Sequence, residues 1–356
     1  MTGTTTHREV LICALPLRLQ GDGSGHDRQH AVTKREPSVT SRHWIYLSLG
    51  VAVLAVGALV VVAVIYPTTR WRMDLFPGNP PDVALQPEAW SVSEDWVRFA
   101  VLGDNGTGGR NAMDIARQMA RTYEETPYGL VVLLGDISYY GSIADRYQEV
   151  FFEPLGPLLD AGVTFELAVG NHELEFEPSS EANREIVRRL GVIGEEGSFY
   201  SVVQGPVEIF IIDSSTPQVT GAAGSEQIAW LEGALAASTA PWKVAALHHP
   251  PYSSGGHGSD MAVREALEPL FVGYGVDLVL TGHDHHYERT VPLDGVTYVV
   301  SGAGSKLRGT STSDFTAVAE NRLQFMVAEA TPDAIRLRAI GVDGVVIDEF
   351  SLVRER

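Results

Sequence analysis

Asp, Tyr, Asn and His recur between Asp104 and His285 in an order suited to holding two metal ions. Five stretches carry them: Gly103-Asp104-Asn105-Gly106, Gly135-Asp136-Ile137-Ser138-Tyr139, Gly170-Asn171-His172-Glu173, Val244-Ala245-Ala246-Leu247-His248 and Gly282-His283-Asp284-His285. Their carboxylate, imidazole, amide and phenol groups are donors that hard and borderline cations accept. Two adjacent ions could bind a phosphate ester and make a hydroxide to attack it. Alone, each stretch reads as something ordinary. Gly-Asp is a common turn, and an isolated His or Tyr is more often a surface or core residue. The order of the five, and their placement after apolar runs of strand length, carry the reading.

Three positions sharpen it. A phenol has a pKa of ~10, so a Tyr139 ligand at neutral or acid pH calls for a strong Lewis acid such as Fe³⁺. His283 and His285 stand two apart; on a tight loop they could address different ions. His248 and His249 are adjacent, so only one should reach a given ion while the other packs behind it. Tyr140, next to Tyr139, is assigned no role. Arg289, Lys306 and Arg308 are candidate phosphate contacts whose ordinary alternative is a solvated surface charge.

The elements that must deliver these residues alternate. Strands are expected at Val97–Leu102, Leu130–Leu134, Phe165–Val169, Val244–Leu247 and Val276–Leu280. A hairpin should join Ser198–Val203 to Val207–Ile212. Helices should cover Asn111–Glu125, Ala144–Leu159, Ser225–Ala237, with Ser225 as N-cap, and Met261–Val272. After Gly282 only strands follow, at Val296–Val300, Gln324–Glu329, Ile335–Ile340 and Val345–Leu352, the last two joined at Asp343-Gly344. Apolar runs ending in Gly and then a ligand-like residue place the chemistry at the carboxyl ends of strands. The sum is a mixed α/β domain over residues 96–356.

Residues 1–43 are polar and aperiodic and read as a disordered cytosolic tail. Within 44–66, Ile45 to Tyr66 carries no charge. At ~1.5 Å per residue that reaches across a bilayer core of ~30 Å, so a single N-terminal helix is expected to anchor the chain in a membrane. Arg28, Lys34, Arg35 and Arg42 before it outnumber Arg70 and Arg72 after it, which favours an extracytoplasmic catalytic domain. The proline-containing stretch 67–95 reads as a linker. The net charge of -19 argues against general nucleic-acid binding. Cys13 is the only cysteine, so no disulfide can form within one chain.

Taken together, Gly103-Asp104-x-Gly106, Gly135-Asp136-x-x-Tyr139, Gly170-Asn171-His172-Glu173, Val244-x-x-x-His248 and Gly282-His283-x-His285 resemble the purple acid phosphatases, within the calcineurin-like metallophosphoesterases. Trp242-Lys243-Val244, His249-Pro250-Pro251-Tyr252-Ser253 and His285-His286-Tyr287-Glu288-Arg289 resemble the same family. The resemblance implies a four-layer αββα sandwich. It implies Fe³⁺ held by Asp104, Asp136, Tyr139 and His285, with Asp136 bridging to a divalent Zn²⁺, Fe²⁺ or Mn²⁺ held by Asn171, His248 and His283. His172 would be the proton donor, and His257 would face a small phosphate-ester substrate. The N-terminal β-sandwich of the plant-type enzymes is absent, because 67–95 is too short for it. The expected activity is hydrolysis of phosphomonoesters by metal-activated hydroxide, persisting at acid pH. The alternatives are a phosphodiesterase or nucleotide hydrolase using the same centre, and a metal-binding sensor without turnover.

Overall fold

Short apolar runs pair side by side to begin the first sheet. Val97–Leu102 (β1), Leu130–Leu133 (β2) and Thr164–Leu167 (β3) are parallel neighbours. All four residues of β2 are buried, as expected of a parallel strand covered on both faces. The structure is a computed structural model and describes residues 96–141, 146–175, 198–215, 219 and 226–354. The described residues belong to one compact unit, Glu88–Arg356. The expected tail, membrane anchor and linker lie outside the described residues, as does the proposed Ser225 N-cap. Among the described residues no helix is long and apolar enough to cross a membrane.

Three antiparallel strands complete the first sheet: Gln324–Ala330 (β11), Ala334–Gly341 (β12) and Val346–Val353 (β13), in the order β13-β12-β11-β1-β2-β3. The second sheet contains Tyr200–Gln204 (β4), Val207–Ile211 (β5), Trp242–Ala246 (β6), Leu278–Thr281 (β7), Tyr287–Thr290 (β8), Thr297–Ser301 (β9) and Thr316–Glu320 (β10). Its order is β10-β8-β9-β7-β6-β5-β4, with β5, β6, β7 and β9 parallel. The helices are Arg110–Glu125 (α1), Glu153–Asp160 (α2), Asn171–Glu175 (α3), Glu226–Ala237 (α4) and Met261–Gly273 (α5).

The period-two alternation of the second sheet separates its two faces. Ile209, Ile211, Val244, Ala246, Leu278 and Leu280 join the cluster containing Phe99, Val101 and Phe325 of the first sheet. The intervening Phe210, Ala245, Leu247 and Val279 pack instead on Leu231 and Leu235 of α4 and Val263, Leu267 and Phe271 of α5. Ile115 and Met119 of α1 and Leu155 and Leu158 of α2 pack with the first sheet. Trp242 adds a polar tie, its indole N–H donating to the Thr331 carbonyl at 2.6 Å across the two sheets.

Two elements differ from the sequence expectation. The helix expected over 144–159 is interrupted by a π-helical turn, Gln148–Phe152, before α2. Pro154 has no N–H to give the Val150 carbonyl, and Glu153 N–H reaches back five residues to Gln148 O. Strands β8 and β10 were not expected. β8 sets two charged residues between Tyr287 and Thr290, and β10, Thr-Ala-Val-Ala-Glu, is an edge strand with a register shift between Thr316 and Val318, so neither shows a clean apolar alternation.

Leu337 on β12 is fully buried in the inter-sheet cluster and belongs to none of the five motifs. Leu337→Ala should lower unfolding free energy by about 2–5 kcal/mol. Denaturant melts would read that loss, with the specific activity of the folded fraction retained.

Candidate metal centre

The motifs meet where the strands of both sheets end. Asp104 follows β1, Asp136 follows β2, Asn171 opens α3 after β3, His248 follows β6, and His283 follows β7. Asp104, Asp136 and His283 take left-handed backbone, with φ of 59°, 54° and 69°. That costs an ordinary L-residue about 1–2 kcal/mol, and it turns each chain sharply so that the side chain doubles back over the sheet edge. The loops are then tied together across the sheets. Asp104 N–H donates to Gly135 O at 3.1 Å, and Gly282 N–H donates to His248 O at 3.0 Å. His283 N–H donates to Asp104 Oδ2 at 2.8 Å. Gly282 must be glycine for space: a Cβ there would sit 2.5 Å from Asp104 Oδ2 and 2.7 Å from Leu134 O.

The donors fall into two groups. On one side, Tyr139 Oη lies 2.8 Å from Asp104 Oδ1 and 2.9 Å from His285 Nε2. On the other, Asn171 Oδ1 lies 3.1 Å from both His248 Nε2 and His283 Nδ1, which are 3.2 Å from each other. Asp136 Oδ1 is 3.4 Å from His248 Nε2 and accepts from His172 N–H at 3.0 Å. Ligand atoms of Asp104, Asp136 and His248 lie within 4.8 Å of one another. His283 and His285, two apart in the chain, therefore address different groups, as a tight loop permits. His248, not His249, faces Asn171 and Asp136. A nitrogen of His249 also lies within 4.8 Å of His248 and His283, but its Nδ1 is engaged by Ser214 Oγ at 2.9 Å.

The chemistry of these donors fits cations. His248 Nδ1 lies 2.7 Å from the Leu134 carbonyl, which can only accept, so Nδ1 carries the proton. Without a cation Nε2 is protonated as well and points at an amide oxygen and a carboxylate; a cation there would take the place of that proton. Tyr139 has one proton between two acceptors. Burial opposes charge on His248, but Asp136 and Asp104 outweigh it and its pKa is pushed up to about 10. Burial, aided by His248, drives His283 down to about 2. Burial, then Asp104 and Asp136, push the Tyr139 phenol well above its ordinary value. Positive charge is wanted in the middle and cannot be supplied by protonating every member. Metal ions would supply it.

Other residues hold the frame. Glu173, quoted in its motif without a role, is buried and accepts from three backbone N–H groups: Asp136 at 2.9 Å, Ile137 at 2.7 Å and Gly170 at 2.7 Å. It clamps the β2 and β3 loops together. The sequence signal was only its place in the Gly-Asn-His-Glu run. Asp284 is buried between the two ligand histidines of its loop and accepts from His257 N–H at 2.8 Å and Gly258 N–H at 3.1 Å. His257 stacks on His283 with ring centroids 4.3 Å apart. The His172 ring stands edge-on to Tyr139 at 4.8 Å, its Nε2 3.9 Å from Asp136 Oδ2. Tyr140 is 65% exposed. Arg289 is committed to Asp348, at 2.7 Å, and packs over Phe350, so its guanidinium serves the β8–β13 junction rather than a phosphate.

Residues 97–287 match the calcineurin-like phosphoesterase family. The chain belongs to that family. This calcineurin-like phosphoesterase is a metal-dependent hydrolase of phosphoric esters, and its relatives include acid phosphatases. It is 28% identical to mouse tartrate-resistant acid phosphatase type 5 over 242 residues, 59% of this chain and 72% of that protein. It is 32% identical to the probable purple acid phosphatase 20 of Arabidopsis thaliana over 239 residues, 61% of this chain and 53% of that protein. The fold is also that of the purple acid phosphatase PPD1 from yellow lupin, with a TM-score of 0.60 at 21% identity over 73% of this chain and 54% of that one.

Gly282→Ala should push the β7 loop away from Asp104. A displacement of ~1 Å at a catalytic constellation costs about 10²-fold in rate. Metal content per chain, measured by elemental analysis beside turnover, should fall with the rate.

Proposed function

We propose that this phosphoesterase is an acid phosphatase of the purple type that hydrolyses phosphomonoesters. The observation that carries the reading is the division of the donors into two groups flanking Asp136, one containing a phenol. In this reading Asp104, Tyr139 and His285 hold Fe³⁺, and Asn171, His248 and His283 hold Zn²⁺, Fe²⁺ or Mn²⁺. Asp136 contributes to both. Ions bound there would acidify a water and neutralise phosphate oxygens.

The chain's own residues do the rest. His172 stands at the rim of the donor cluster, with its side chain 28% exposed, where a leaving oxygen would emerge. It hands that oxygen a proton as the old P–O bond breaks, while the oxygen of water forms the new P–O bond. The products are an alcohol and inorganic phosphate. His257, stacked on His283, orients the ester from the opposite side. Asp284 holds the His257 backbone, and Glu173 holds the loop of Asp136, so neither histidine has to be repositioned during turnover. The membrane-anchored, extracytoplasmic placement of this unit is also a proposal, resting on the uncharged run of 44–66.

A general acid contributes ~10²–10⁴ in rate, and most where the leaving group is a poor one. His172→Gln should therefore lose at least 10²-fold on an alkyl phosphate and far less on p-nitrophenyl phosphate. Equal losses on both would remove His172 from the proton-transfer step, and faster turnover of bis(p-nitrophenyl) phosphate would move the reading to a diesterase.

A tyrosinate–Fe³⁺ pair absorbs visible light. The metal-loaded protein should be coloured, and Tyr139→Phe should bleach it. A colourless, active protein containing only Zn or Mn would end the iron assignment and leave hydrolysis standing.

A further inference from the structure

Two cations sit on the loop that closes the centre, and the catalytic reading above uses neither. Ser305 Oγ donates to Asp104 O at 2.6 Å, and Arg308 N–H donates to His285 O at 3.0 Å. The segment between them is thus pinned at both ends to residues of the donor cluster. Lys306 extends over the Tyr139 ring, with Nζ 3.1 Å from its centroid. This is a close cation–π contact, and it corrects the expectation of a solvated surface charge. The Arg308 guanidinium hydrogen-bonds His257 Nε2, whose ring stacks on His283. One cation therefore flanks the phenol-containing group, and the other reaches the imidazole-containing group through His257.

Most of the basic side chains among the described residues are paired with carboxylates, although Lys243 and Arg264 spend their donors on backbone carbonyls. Arg98, Arg146, Arg289, Arg322, Arg338 and Arg354 each have a carboxylate partner. Among the described residues, no ion pair involves Lys306 or Arg308. Arg308 meets a ring nitrogen of His257 and Lys306 an aromatic face, and neither contact is a carboxylate. The chain carries 45 acidic residues against 26 basic ones, yet among the described residues neither of these two cations is in an ion pair. Lys306 beside the phenol-containing group and Arg308 beside His257 offer an anion two separate points of contact. The phosphate being cleaved would already be served by the metal centre.

We propose that Lys306 and Arg308 select substrates whose leaving group carries its own negative charge beside the scissile phosphate, either a second phosphate or a carboxylate. The proposal rests on the hydrolase reading for its role in turnover, but the anion binding it requires can be measured without turnover. In such a substrate the water oxygen bonds to the terminal phosphorus, the P–O bond to the leaving group breaks as His172 protonates an alkoxide leaving oxygen (a phosphate leaves without that proton), and the remaining negative charge of the product stays paired with the two cations until it diffuses away. Net positive charge at the mouth also draws such anions in, an effect that weakens with salt.

The test is calorimetric binding to the metal-loaded full chain with three probes: inorganic pyrophosphate, phosphoglycolate and orthophosphate. It is paired with kcat/KM on the first two and on phenyl phosphate. Lys306→Gln and Arg308→Gln should each weaken pyrophosphate or phosphoglycolate about tenfold more than orthophosphate, and Lys306→Arg should restore selectivity. The salt dependence of kcat/KM for the doubly anionic substrates should flatten in both Gln variants. A phosphoanhydride preference and a carboxylate preference would differ in which probe suffers more. Equal losses on all three probes, or no loss, would overturn the proposal. Arg308 is exposed, so Arg308→Gln should keep the fold, and an unchanged melting temperature would confirm that a loss is local. Selective binding losses without any turnover in the wild-type protein would sink the hydrolase reading and leave the anion site standing.

Discussion

At the strand ends lone pairs outnumber the protons available to them, and the backbone does not let them separate. The His248 Nδ1 proton is taken by the Leu134 carbonyl. The Tyr139 proton is shared between a carboxylate and an imidazole. Asp104 is held by the His283 amide, and the Asp136 loop is clamped by Glu173. Crowding buried carboxylates and imidazoles at one point costs free energy, because burial and like charge both oppose ionisation. Cations bound only by the folded form would return that free energy by mass action.

The two sheets exist in this arrangement because the crowding needs a rigid floor. Parallel strands β1, β2 and β3 of one sheet and β6 and β7 of the other all end on the same side. Their buried residues interdigitate between the sheets, so the strand ends move together or not at all. The left-handed turns at Asp104, Asp136 and His283 then cost strain that the packing must carry. Strain of this kind gathers at functional sites, where surrounding structure over-determines the conformation. The chain places it at three of the seven candidate ligands.

The ligands could be read from sequence because each donor stands within a few residues of a strand end, and strand ends are marked locally by apolar runs closing in glycine. The partition of His283 and His285 between two groups could not, since it depends on where a tight loop directs two neighbouring rings. Nor could the roles of Glu173 and Lys306, whose partners come from other loops. Glu173 meets amides of the β2 and β3 loops, and Lys306 meets a ring far away in the chain. Local pattern misled at β8, where Tyr287, Glu288 and Arg289 lack apolar alternation yet pair in full with β9. It misled again at Pro154, where a helical period continues through a residue that cannot hold the helical hydrogen bond.

The asymmetry of the two donor groups bears on which ions would sit there. Counting the shared Asp136 in both, one side brings the carboxylate of Asp104, the phenol of Tyr139 and a neutral imidazole; the other brings one amide and two imidazoles. With Tyr139 deprotonated, the first side carries three negative charges and the second one. Burial and the flanking carboxylates push the phenol well above its ordinary pKa, so an ion must overcome that penalty before the phenolate can bind. A trivalent ion both matches the charge and polarises the oxygen enough to displace the proton, whereas a divalent ion meets the same penalty with less field. The imidazole-rich side sets no such demand and suits a borderline divalent ion. In the proposed reading the unequal pair would follow from electrostatics at seven side chains, with Tyr139 as the residue on which the distinction turns.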